Sequence, residues 1–167
     1  MKDLSPKTLR RLDIQGFERV DEERLAQIAP WLRLAFGLCA ALAVLGTALG
    51  SPKILLTLAV IALAATLSPV HPFDLIYNYG IRHATGTPRL PRRGAPSRFA
   101  CGIGVVWLVA TAWAFQTGRA PLGYTLGFLL SLVAVLVSTT DICIPSLIYR
   151  ALFGEPTPRI DNKDSEA

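Results

Sequence analysis

The chain has 167 residues, 51% of them hydrophobic and 17% charged, with a formal net charge of +5 and a mean hydropathy of +0.42. Soluble domains carry about 25% charged residues, so this chain is poor in charge. So much apolar surface excludes a disordered chain, and three Cys, a sparse and odd count, exclude a secreted disulfide scaffold.

Segment 1–28 is charged and basic. Leu4 to Ile14 predicts a short amphipathic helix, with Ser5 as its cap, Pro6 in its first turn and Gly16 as its stop. Lys7, Arg10 and Arg11 give it a basic side suited to the inner leaflet of a membrane. A second helix starts at Asp21, with Glu22 and Glu23 in its first turn, and runs nearly into the first apolar block. That block lacks the short basic start of a cleavable signal, so it is expected to be retained.

Residues 29–154 predict a transmembrane domain. A spanning helix needs about 20 mostly apolar residues. Four blocks qualify, at 31–49, 52–70, 99–116 and 121–144. Between Phe99 and Thr140 the only charge is Arg119, which leaves no wet face for a soluble bundle. Gly50-Ser51-Pro52 and Gly118-Arg119-Ala120-Pro121 read as tight turns between helices. The predicted fold is therefore all-α, four transmembrane helices in two antiparallel hairpins, with short interfacial or cytoplasmic helices. The link 71–98 is Pro-, Gly- and Arg-rich from Gly86 to Pro96, where regular helix is excluded. Leu75, Ile76, Tyr77 and Tyr79 before it predict an interfacial helix. Residues 155–167 form a polar tail.

Charge sets the orientation. Of 17 Lys and Arg, only Lys53 and Arg119 fall in the two tight turns. The positive-inside rule then places both termini and the central link in the cytoplasm. Arg92, Arg93 and Arg98, with Tyr77 and Tyr149, are expected at the lipid interface. The basic balance is thus a topology signal, and no nucleic-acid partner is expected. The expected partners are the bilayer and a membrane protein or a second copy of the chain.

A weak internal repeat runs through the domain. Ala29-Pro30 and Ala95-Pro96 open the two hairpins, and Leu75-Ile76-Tyr77 and Leu147-Ile148-Tyr149 close them. Four residues before each closing Leu stand His71 and Cys143. Two hairpins of equal orientation fit a parallel repeat.

Candidate chemistry gathers at the cytoplasmic ends of the helices: His71, Cys101, Asp141 and Cys143. Ionisable groups at membrane depth are costly and often functional. Cys101 and Cys143 fit a dithiol pair, with His71 and Asp141 tuning a thiolate. The plainer reading makes His71 a helix cap, Asp141 an Arg partner and the two Cys packing residues. Cys39, among Ala and Leu, reads as packing. With no CxxC, HxxxH or HExxH, neither a metal nor a cofactor is expected. Gly102, Gly104, Gly123 and Gly127 read as helix-packing sites, the last two at GxxxG spacing.

The ordered set His71-Pro72-Phe73-Asp74, Pro88-Arg89-Leu90-Pro91 with Arg92-Arg93, Arg98-Phe99-Ala100-Cys101 and a Cys ending the fourth helix resembles an uncharacterised bacterial integral-membrane domain of unknown function, over roughly residues 20–154. The resemblance implies a four-helix inner-membrane protein and supplies no activity. Members carry closely spaced Cys in the last segment, whereas Ile144, Pro145 and Ser146 follow Cys143 here. The first functional expectation is an accessory or structural subunit or small homo-oligomer of the bacterial inner membrane, without enzymatic activity. The alternatives are a thiol-redox or sulfur-handling protein using Cys101 and Cys143, and a small transporter.

Overall fold

In the computed structural model, residues 4–154 and 156 are described, and among them every regular element is helical. The expected tail at 155–167 lies outside the described residues except for Pro156. The order is α1 (Pro6–Leu12), a π-helical turn (Asp13–Phe17), α2 (Glu22–Ala48), α3 (Pro52–Leu67), α4 (Pro72–Ile76), a second π-helical turn (Tyr77–Ile81), α5 (Arg82–Thr85), α6 (Ala95–Gln116), α7 (Ala120–Thr140) and α8 (Ile144–Phe153).

Local chemistry explains the ends. The Ser5 hydroxyl accepts the Thr8 N–H at 3.2 Å, and Pro6 opens α1. Gly16 stops the following turn at φ 98°, where a side chain is strained. A Cβ at Gly16 would also lie 2.9 Å from Gly94 Cα, so the two backbones cross closely. The helix expected from Asp21 and the first apolar block are one rod, which continues through Pro30. α3 stops at Leu67 and not at residue 70, because Pro69 holds Ser68 extended (ψ 145°). α6 starts at Ala95, four residues before the expected 99, with Pro96 in its first turn. α7 stops at Thr140 and not at 144, because Asp141 turns left-handed at φ 59°. Residues 144–153 then form their own amphipathic helix, α8.

Three helices, α2, α6 and α7, are long and apolar enough to cross a membrane. α3, at 16 residues, passes that test only together with α4 and α5, beyond a bend of 83°. α2 packs on α3 and α7, and α6 packs on the same two, so the four helices form a ring. One core, with Leu55, Leu58, Ala62, Leu108 and Ala112, lies within this ring. A second, with Leu12, Phe17, Leu25, Ile28, Tyr77 and Leu90, joins the N-terminal segment to the central link. The N-terminal segment is therefore packed into the domain.

Several expected interfacial and packing residues change role. Tyr77 is fully buried and does not face lipid: its ring lies 5.1 Å from Trp31, and its hydroxyl bonds Thr87 and the Pro88 carbonyl. Arg93 is buried too, because Asp74 offers it a carboxylate: Nε and Nη2 donate to the two oxygens at 2.7 and 2.8 Å. Arg98 donates to the Thr66 and Leu67 carbonyls at the end of α3. Arg92 is exposed. Tyr149 is half-buried, with its ring 5.4 Å from Phe99 and 4.7 Å from Phe153.

Among the glycines, a Cβ at Gly127 would overlap Thr47 of α2, and one at Gly123 would stand 2.8 Å from Phe115. Both glycines of the GxxxG pair thus serve contacts within the chain. Gly102 makes ordinary contact with Thr66, at 3.4 Å. Gly104 is not a packing site, since a Cβ there would meet nothing within 4 Å.

The buried Asp74–Arg93 pair is directly testable. Breaking a buried pair costs about 3–5 kcal/mol, whereas replacing both partners by apolar groups is often neutral. Asp74→Leu alone is expected to unfold the protein in detergent at markedly lower temperature, and Asp74→Leu with Arg93→Met to recover most of the loss. A single variant as stable as the parent would remove the pair from the account.

Candidate functional site

All three cysteines of the chain reach one chamber. A cavity of about 140 Å³ lies inside the helix ring, and Cys39 of α2, Cys101 of α6, Cys143 before α8 and His71 before α4 are in its wall. The rest of the wall is apolar, with Phe36 and Trp107 as its aromatic members. The three thiols are free. Cys101 stands within electrostatic reach of both others.

Each wall group is placed by a local rule. α4 starts at Pro72 and α8 at Ile144, with Pro145 in its first turn, so His71 and Cys143 each stand immediately before a short helix. The two residues that the sequence repeat aligns therefore occupy corresponding places and share the chamber. His71 is also a cap, its Nδ1 accepting the Phe73 N–H at 3.2 Å. That bond assigns the ring proton to Nε2 in the neutral form, and Nε2 lies 3.9 Å from Cys39 Sγ. The imidazole thus meets Cys39 with its donor side and is not set to take a proton there.

Burial raises the Cys143 thiol above its ordinary value, against hydrogen bonds from Ser146, so at neutral pH it rests protonated. A buried ion pair stands close by. The Arg93 guanidinium lies 4.8 Å above the Phe36 ring, within electrostatic reach of Cys39 and Cys101. Burial works against its charge, and the hydrogen bond and charge of Asp74 more than offset that. Its Nη1 is buried without a hydrogen-bond acceptor.

Asp141 is not in the chamber wall. Both its carboxylate oxygens bond the Arg33 guanidinium, Nε to Oδ1 at 2.9 Å, so it is committed to an ion pair that closes the α7 end onto α2. Among the described residues, no three His, Cys, Asp or Glu side chains are grouped to hold a metal ion. Cys39, Asp74 and Arg93 are the site residues that sequence reasoning missed. Asp74, an acid inside an apolar run, was the one available signal. Cys39 gave none, because depth along a helix does not tell which face is inside.

No curated protein and no solved structure matches the chain. A family model described as a domain of unknown function, DUF4395, matches residues 29–153. That match covers both apolar hairpin segments and every wall residue of the chamber, and the chain belongs to this family of domains of unknown function.

Proposed function

We propose that the chain is a bacterial inner-membrane protein of four spans, with both termini in the cytoplasm, and that it handles sulfur or redox equivalents through its three thiols. The chamber carries this reading. Residues 39, 101 and 143 are remote in sequence, yet all three Cys line one cavity with one of the two His. Scattered packing cysteines have no reason to converge. The dithiol expectation changes in membership: Cys39 joins Cys101 and Cys143, and Asp141 leaves.

The four-span reading takes α3 with its bent continuation as the second span. The basic residues support the orientation, since Arg11, Arg33, Arg93, Arg98 and Arg150 all form contacts that join the N-terminal segment, the central link and the ends of α3 and α7. The accessory-subunit and homo-oligomer reading is weaker, because Gly123 and Gly127 already serve contacts within the chain. A charged transport substrate finds no polar path in so apolar a chamber.

The chemistry is an ordinary two-electron exchange. Two thiols release two protons and two electrons to an oxidant, and an S–S bond forms. The reacting thiol must first ionise; Arg93 is within electrostatic reach of Cys39 and Cys101, and its ion-pair partner Asp74 opposes it there. Diamide, a membrane-permeant diazene, supplies the oxidant in a test. In lipid nanodiscs, treatment is expected to lower the intact mass by two hydrogens and leave one thiol open to alkylation after unfolding, with Cys101 as one partner of the disulfide. Three alkylatable thiols after treatment would overturn the thiol reading.

A further inference from the structure

The chamber has space as well as thiols. Apolar cavities of about 150 Å³ stay dry and admit a benzene-sized molecule. This one is about 140 Å³, carries Phe36 and Trp107 in its wall and presents almost no hydrogen-bonding group apart from His71. Part of the space exists because residue 104 is glycine. Gly104 is interior to α6, its backbone is ordinary right-handed helix, and a Cβ there would meet nothing within 4 Å. A side chain at residue 104 would therefore take up part of this space. Gly123 and Gly127, by contrast, are filled against by Phe115 and Thr47.

We infer that the thiol-lined chamber is a binding site for a small, uncharged, planar apolar molecule of about the size of one aromatic ring, taken from the hydrocarbon of the bilayer, with Gly104 as the residue that sets its size limit. The inference shares the chamber with the thiol reading but requires no thiol to react. The wall itself is apolar and desolvating an ion is costly, so an uncharged guest is favoured. Phe36 and Trp107 in the wall offer a planar ring aromatic contacts, which gain beyond area burial. Soft thiols tolerate such a guest at contact distance.

Photolabelling in nanodiscs with 3-trifluoromethyl-3-phenyldiazirine, an uncharged aromatic probe, tests this. Adducts mapped by mass spectrometry are expected on Cys39, Cys101 and Trp107. Gly104→Leu, by filling the space, and, separately, toluene at about ten times its Kd, by mass action, are each expected to reduce those adducts by about tenfold. Adducts on lipid-facing Val106, Phe128 and Leu132, which are exposed on the bundle surface, are expected to stay unchanged and so report that the variant is folded. Adducts confined to those outer residues, or chamber adducts that survive Gly104→Leu, would overturn the inference. A disulfide found with diamide would stand in either case, so the two readings fail separately.

Discussion

A carboxylate and a guanidinium buried together, Asp74 and Arg93, order the end of the bundle where the chamber lies. Such a pair is tolerated only when its geometry is good and its charges are mutually satisfied. Here two parallel hydrogen bonds meet that condition. Arg93 also donates its backbone N–H to the Pro69 carbonyl at 2.7 Å, and Asn78 accepts the Leu90 N–H at 3.0 Å. The irregular segment before α6 is thereby strapped across α4. The strap brings Gly94 onto Gly16 and sets where α6 begins. Cys101 follows six residues later, His71 three residues before Asp74. The pair that fixes the strap thus fixes two walls of the chamber and brings the Arg93 guanidinium, with Asp74 beside it, within electrostatic reach of its thiols.

The arginines do more than mark one side of a membrane. Backbone carbonyls at helix ends have no partner within the helix, and hydrocarbon offers none. Arg11 and the Gln15 side chain take the carbonyls of Thr140 and Asp141 at the end of α7, each at 2.8 Å. Arg98 takes those of Thr66 and Leu67 at the end of α3. Arg150 takes those of Asp13 and Ile14, and pairs with Glu18 at 3.1 Å. Residues that read as a topology signal are also the staples that close the basic end. Arg92, by contrast, stays exposed.

Much of the fold was legible because hydrocarbon imposes length and apolarity on any helix that crosses it. The turns at Gly50 and Gly118, the Ser5 cap and the Gly16 stop follow from local chemistry and stand where expected. Helix ends were misplaced where proline or a left-handed residue cut a longer apolar run, at Pro69 and Asp141. Facing was the larger loss. A run apolar on all sides carries no period to show which side is inside, so Cys39 read as packing and Tyr77 as interfacial. Cys101, Cys143 and His71 were found because they lie near helix ends, where antiparallel order alone brings residues together. Asp141 met the same test and still left the site, because whether an acid pairs with Arg33 or tunes a thiol depends on tertiary geometry.

The central claim is that residues remote in sequence share one chamber around a neutral imidazole. Solid-state NMR in bilayers, on protein labelled at its cysteines and histidines, tests it most directly. The account expects a contact between His71 Nε2 and the Cys39 side chain, consistent with their 3.9 Å approach, a proton on Nε2 and not on Nδ1, and cross-peaks from Cys101 to both other cysteines. A Cys39 that sees neither His71 nor Cys101, or a His71 ring protonated at Nδ1 at neutral pH, would contradict it.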